Sequence, residues 1–155
     1  MTTEEEIETA EEHDPAYAKP LPLLDGLAAE FYGWCQRHEL RFQRCASCGT
    51  WRHVPRLLCP ECASSDFEWA RSSGRGRVFT WTVAARAMHR AFQNDVPYAP
   101  VVVEMEEGVR MVSALIDCPP EALEIDMPVE VVFEDVTPDV TLPKFRRAGG
   151  GRQRS

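Results

Sequence analysis

The sequence predicts a mainly β protein: one helix near the N-terminus, a small cysteine-rich hairpin module, and then a small closed barrel of short strands. Three observations carry that reading. Apolar residues recur on a helical stripe after Asp25. Four of the six cysteines stand as two Cys-x2-Cys pairs, Cys45/Cys48 and Cys59/Cys62. After Gly76 the chain breaks into short alternating segments separated by turn residues, the pattern of a small all-β unit.

Residues 1–22 begin with Glu4, Glu5, Glu6, Glu8, Glu11, Glu12 and Asp14, ahead of any basic residue, and continue through Pro15, Pro20 and Pro22. With no apolar periodicity, they are expected to form an acidic disordered tail. The helical region is assigned to 23–40. Leu27, Ala28, Phe31, Trp34, Cys35 and His38 fall on or beside one stripe, and Asp25 is placed to cap it.

The cysteine module is assigned to 41–72. It has a strand at Arg41–Cys45, a hairpin within Thr50–Leu58 and a further strand at Asp66–Ala70. The barrel is assigned to 73–147, with strands at Val78–Ala84, Val101–Met105, Met111–Ile116 and Val129–Phe133, and a turn at Glu107-Gly108. Between the first two lies an irregular stretch, 87–99. Residues 148–155, with Gly149-Gly150-Gly151 and an Arg-rich end, are expected to be a flexible tail.

The chain has 155 residues, of which 44% are hydrophobic, enough for a genuine core. No apolar run reaches the roughly 18 residues that span a bilayer, and the acidic start is unlike a secretory signal. No membrane partner is expected, and the protein is read as cytoplasmic. The net charge of −8 argues against nucleic acid, since a phosphate-seeking surface is usually basic. The four histidines, His13, His38, His53 and His89, are scattered, and no Ser/His/Asp grouping or Gly-rich phosphate loop is present.

Two residues between cysteines let one tight turn aim both sulfurs at a point, and two such turns facing each other build a tetrahedron. Cys45, Cys48, Cys59 and Cys62 are therefore expected to hold one structural Zn2+. Gly49 suits the left-handed backbone of the first turn, and Pro60 stiffens the second. A redox reading of the pairs is weaker, because such a motif usually occurs once, at a helix start after a strand. Four thiolates leave no open coordination position, so no water activation is expected there. Cys35 and Cys118 are read as buried hydrophobes.

The order of short motifs carries more. Gln43-Arg44-Cys45-Ala46-Ser47-Cys48-Gly49 is followed by Pro55 to Cys62, Glu68-Trp69, Ser73-Gly74-Arg75-Gly76, Pro97-Tyr98, Glu107-Gly108, Met127-Pro128-Val129 and Val132-Phe133-Glu134. This set resembles the acyl-CoA-associated zinc-ribbon/OB-fold family, domain of unknown function thirty-five, over about residues 25–147. The resemblance implies an N-terminal helix, a rubredoxin-like zinc ribbon and an OB-fold barrel. It departs from the family at His53-Val54-Pro55, where Phe-Pro-Pro is frequent, and at Asp126, where a glycine commonly precedes Met-Pro.

The resemblance also implies a non-catalytic accessory subunit of a thiolase-like enzyme, a thiolase or retro-aldolase acting on acyl-CoA, with sterol side-chain degradation among the family's settings. Because thiolase-fold enzymes are dimers, a heterotetramer of two plus two is expected. The 87–99 loop is rich in residues that bind at interfaces. With the barrel-mouth arginines it supplies the CoA- or partner-facing candidates Arg75, Arg77, His89, Arg90, Phe92 and Tyr98. Partner docking is assigned to Tyr32 and Trp34 on the helix and to Leu142 and Phe145 in the closing segment. The alternative is a single-stranded nucleic-acid-binding zinc-ribbon/OB module, using Arg75, Arg77, Arg86 and Arg90 interleaved with Phe79, Trp81 and Phe92.

Overall fold

The computed structural model describes residues 17–149. The expected tails therefore lie outside the described residues at 1–16 and 150–155. Among the described residues the fold is mainly β with one α-helix. Helix α1 spans Gly26–Gln36, with Asp25 at the N-cap position in extended conformation but making no side-chain capping bond. Of the predicted stripe, Phe31 and Cys35 are buried, whereas His38 lies past the helix end at φ 56°. Burial pushes the Cys35 thiol up to about 12, so it is a small hydrophobe.

A first sheet has the order β2-β1-β3: β1 (Arg41–Cys45), β2 (Trp51–Arg52) and β3 (Phe67–Arg71). The hairpin expected within 50–58 does not form. Only Trp51 and Arg52 are extended, and they pair back onto β1 at Arg44 and Gln43. The reason is a buried polar knot that the sequence does not advertise. The Gln43 side-chain oxygen, fully buried, accepts from Arg52 Nε at 2.9 Å and from the Arg56 amide at 2.7 Å, and so fastens the 52–56 loop to β1. Trp69 Nε1 donates to Glu30 at 2.6 Å and ties this sheet to α1.

The second sheet has the order β6-β5-β4-β7-β8: β4 (Arg75–Trp81), β5 (Val101–Met105), β6 (Arg110–Ser113), β7 (Pro128–Asp135) and β8 (Thr141–Arg147). Strand β4 starts at Arg75, inside the stretch read as a connector. Gly76 permits this, because a Cβ there would sit 2.6 Å from the Glu104 carbonyl oxygen of β5. A register shift between Val78 and Thr80 bends the strand. Asp126, at the departure from the family's glycine, has φ 63°, the left-handed conformation that favours glycine.

Strand β8 was not among the predicted strands. It runs the length of β7, from Thr141 opposite Asp135 to Arg147 opposite Val129. Its far edge closes the barrel by a short parallel bridge between Leu115 and Phe145, with Phe145 N donating to Ala114 O and Ile116 N donating to Phe145 O. One continuous core unites the two sheets and the helix: Phe31, Cys35, Leu40 and Phe42 pack with Val78, Val101, Val103, Met111, Val129 and Phe145.

Contacts reach into the described parts of both assigned tails. Residues 17–22 were given to the acidic tail, yet Lys19 pairs with Asp95 at 2.6 Å and lies 5.4 Å from the Phe92 ring centroid. Ala148, given to the flexible end, donates to Pro128 O.

Candidate metal centre and docking groove

The two cysteine turns leave β1 and the loop before β3, so the sheet pairing itself sets them face to face. The Cys45 amide donates to Thr50 O and the Gly49 amide to Cys45 O, closing the first turn; Ala63 N donates to Cys59 O in the second. Gly49 takes φ 76°, as a tight cysteine turn requires. The four sulfurs lie within 4.8 Å of one another, with Cys45–Cys62 and Cys48–Cys59 both at 3.6 Å. Sulfurs around a tetrahedral ion at the usual Zn–S length are about 3.8 Å apart, so the donor set matches a closed four-thiolate site.

The protein stabilises thiolate at Cys45 and Cys48, while Cys62, which shares a hydrogen bond with Cys45, is pushed up to about 12. Backbone N–H groups, that of Cys48 first, lower the Cys45 thiol to about 6, and the Thr50 hydroxyl, 3.1 Å from Cys48 Sγ, lowers Cys48. Cys45 and Cys59 are buried, while Cys48 and Cys62 are exposed at the tip.

The loop candidates separate into two places. His89 accepts from the Ala91 amide through Nδ1 at 3.1 Å and starts a short 3-10 turn, Arg90–Phe92. Phe92 lies against Tyr98 with ring centroids 5.5 Å apart, and both line an apolar hollow of about 560 Å³ that reaches Cys118 and Leu123. Cys118, read as buried, is half-buried at the edge of this hollow. Arg90 is exposed and forms no ion pair among the described residues.

Arg75 and Arg77 do not join this group. They sit at the start of β4, whereas the loop leaves its end after Trp81. Each extended residue advances about 3.3 Å, which puts Arg77 roughly 13 Å from that end. Arg75 is paired with Glu106 at 3.2 Å, and Arg77 with Glu104 at 2.7 Å and Asp126 at 3.2 Å. Arg75 and Arg77 thus lie toward the opposite rim from the loop, because the two ends of one extended strand are separated by its length. Of the basic stripe in the nucleic-acid alternative, Arg75 and Arg77 are thus already matched by carboxylates.

The docking candidates also divide. Phe145 is fully buried and belongs to the core, so its ring presents no docking surface. The sequence reading missed this because β8 was unrecognised. Trp34 is half-buried and stacked by two guanidinium groups, Arg41 at 4.2 Å and Arg37 at 4.9 Å. Tyr32 and Leu142 do come together, in a groove of about 820 Å³ between α1, the 53–55 loop and the barrel edge. Val54, Leu23 and Val112 line it while 57%, 71% and 69% exposed, an apolar surface with no occupant among the described residues. None of these three was named as a docking candidate, since an exposed and a buried apolar residue read alike in the sequence.

His53 lines the same groove and packs against Phe31 at 5.1 Å and Phe42 at 5.3 Å. Burial lowers its pKa to about 4. Between about pH 6.5 and 4 the unfolded chain binds the proton and the folded chain does not, so stability rises with pH through that window. Acidification from pH 7 to 4 is expected to cost on the order of 3 kcal/mol through this residue. A pH series of urea melts checks it: His53→Gln should flatten the slope between pH 6.5 and 4, and an unchanged slope would remove His53 as the cause.

A cysteine-held ribbon fused to a five-stranded barrel, with no grouped nucleophile, base and orienting acid among the described residues, defines the class: a zinc-ribbon/OB module. Residues 35–68 match the family described as ChsH2, rubredoxin-like zinc ribbon domain, and residues 69–134 match ChsH2, C-terminal OB-fold domain. A solved structure titled Ltp2-ChsH2(DUF35) aldolase is 37% identical, covers 83% of this chain and 99% of that chain, and superposes with a TM-score of 0.75. A "DUF35 domain-containing scaffold protein" of Methanocaldococcus jannaschii is 37% identical over 67% of this chain and 74% of its own length. A "Probable enoyl-CoA hydratase alpha subunit" of Thermomonospora curvata is 36% identical over 88% of this chain but only 42% of its own. This chain thus spans about two-fifths of that relative. The chain belongs to the ChsH2/DUF35 zinc-ribbon and OB-fold family. No described helix is long and apolar enough to cross a membrane.

Proposed function

We propose that this chain is a non-catalytic accessory subunit, which binds and supports a thiolase-like enzyme that makes or breaks a carbon–carbon bond on an acyl-CoA. The observation that carries the reading is the combination of a closed four-cysteine site with an exposed apolar groove. The first gives rigidity without reactivity, and the second gives a surface that a lone soluble chain does not ordinarily leave uncovered. The names of the relatives, a scaffold protein, a hydratase subunit and an aldolase complex, support the same role. The sterol side-chain setting rests on the family resemblance.

One Zn2+ per chain would be held by Cys45, Cys48, Cys59 and Cys62, and a bound zinc would supply structural cross-linking. Two copies would sit on one partner dimer. The hollow lined by Phe92 and Tyr98, on the loop that also carries the exposed Arg90, is the place on this chain where a CoA ester or the partner's active-site entrance would be met. The partner carries the reacting groups, and this chain shapes and shields the approach to them.

The test is to assay the chain alone, the copurifying enzyme alone and the two together on a CoA ester. No turnover is expected from the chain, and at least a tenfold higher rate from the pair than from the enzyme alone. Turnover by the isolated chain, or an undiminished rate from the enzyme without it, would sink the reading.

A further inference from the structure

The barrel is not closed along its whole seam, and the reason is one residue. On β6 the hairpin geometry fixes which main-chain groups face outward. Met105 N donates to Val109 O and Gly108 N to Met105 O, so Val109, Met111 and Ser113 direct their N–H and C=O groups toward β5. Arg110, Val112 and Ala114 direct theirs the other way, toward β8. Ala114 O is met by Phe145 N, and Ile116 N by Phe145 O. The next outward-facing residue of β8 is Pro143, which has no N–H to continue the ladder toward Val112. Its carbonyl is instead taken by the Ser113 hydroxyl at 2.8 Å. The seam therefore stops at Pro143, and the outward N–H and C=O groups of Arg110 and Val112 have no main-chain partner among the described residues.

Those unpaired groups open into the 820 Å³ groove, whose opposite wall is α1 and the 53–55 loop. The geometry points to an extended polypeptide segment of the partner enzyme as the occupant, added as a strand along the free edge of β6. This rests on the accessory-subunit reading. A hydrocarbon chain fits the apolar lining but leaves four aligned donors and acceptors unanswered, whereas an extended backbone answers them all. Residues directly opposite Val112 share its outer face, so the incoming strand carries a branched apolar residue against Val112, while Arg110 stays paired with Glu104 at 3.0 Å and stacked on Phe79.

Because the Val112 N–H serves nothing within the barrel, Val112→Pro removes a docking donor while sparing the β5–β6 ladder. The full chain is coexpressed with the enzyme that copurifies with it, and amide hydrogen exchange is compared in the free chain and the complex. Exchange at Arg110 and Val112 is expected to slow at least tenfold in the complex. Val112→Pro is expected to weaken the complex at least tenfold with an unchanged melting temperature, and Val112→Thr by no more than threefold.

An intact complex with neither amide protected, or one indifferent to Val112→Pro, overturns the strand and leaves the accessory role standing. Protection in the free chain at high concentration assigns the edge to a second copy, and protection by a CoA ester alone assigns it to ligand; either overturns the proposal. If the wild-type chain forms no complex, both readings fall together. A Val112→Pro variant that unfolds contradicts the free-edge geometry from which the proposal is drawn.

Discussion

Replacing Cys59 with Ser is expected to abolish zinc retention and melt the sheet of β1, β2 and β3. The physical case is that the cysteine end of this sheet has little else, the apolar support lying at Phe42 where β1 meets the shared core. Strand β2 is two residues long, and the interior beneath it is largely the polar knot of Gln43 and Arg52 rather than apolar packing. Structural zinc sites in small modules contribute about 10–16 kcal/mol of apparent binding free energy, more than many whole domains have in net stability. Cys59 is 3% exposed, so a serine there leaves a poor ligand in a buried position. Loss of the ribbon also uncovers Phe42 and Phe31, which the barrel shares as core, so the damage extends beyond the ribbon. Metal analysis should give one zinc per wild-type chain and none for the variant, with exchange protection lost across 41–71. A wild-type chain purified without chelators and free of zinc would end the structural-zinc reading.

Phe145→Ala is expected to be nearly as damaging, for a different reason. The ring is fully buried in the barrel core, and its own main chain makes both hydrogen bonds that close the seam. Deleting a buried aromatic ring costs about 3–5 kcal/mol, the transfer loss plus the cavity. For a chain of this size that lowers the melting temperature by roughly 10–20 °C. Leu142→Ala, at a half-buried groove position, is expected to cost under about 1 kcal/mol and to act on complex formation instead. Thermal melts of both variants decide it. A Phe145→Ala melt within two or three degrees of wild type would return this residue to the surface role that the sequence assigned it.

The contrast at Phe145 shows what a single chain of letters determines. Cys45, Cys48, Cys59 and Cys62 were legible as a metal cluster because two-residue spacing fixes the geometry of a knuckle locally, without reference to the rest of the fold. The helix after Asp25 and the strand at Val101–Met105 were legible because their burial follows a local period, Phe31 and Cys35 four apart and Val101, Val103 and Met105 two apart. The order of short motifs carried the family. Strand β8 was not legible: Pro143 interrupts its pattern, and only its register with all of β7 makes Thr141–Arg147 a strand. The separation of Arg75 and Arg77 from the 87–99 loop was not legible, because sequence proximity says nothing of which rim a strand end reaches. The groove joining Tyr32, Val54, Val112 and Leu142 draws on four separate segments, and the unpaired edge beside it exists only because a proline on one strand faces a valine on another. Local spacing is set by covalent geometry and can be read in the chain; shared cavities and unpaired edges are set by long-range pairing, which only the tertiary structure decides.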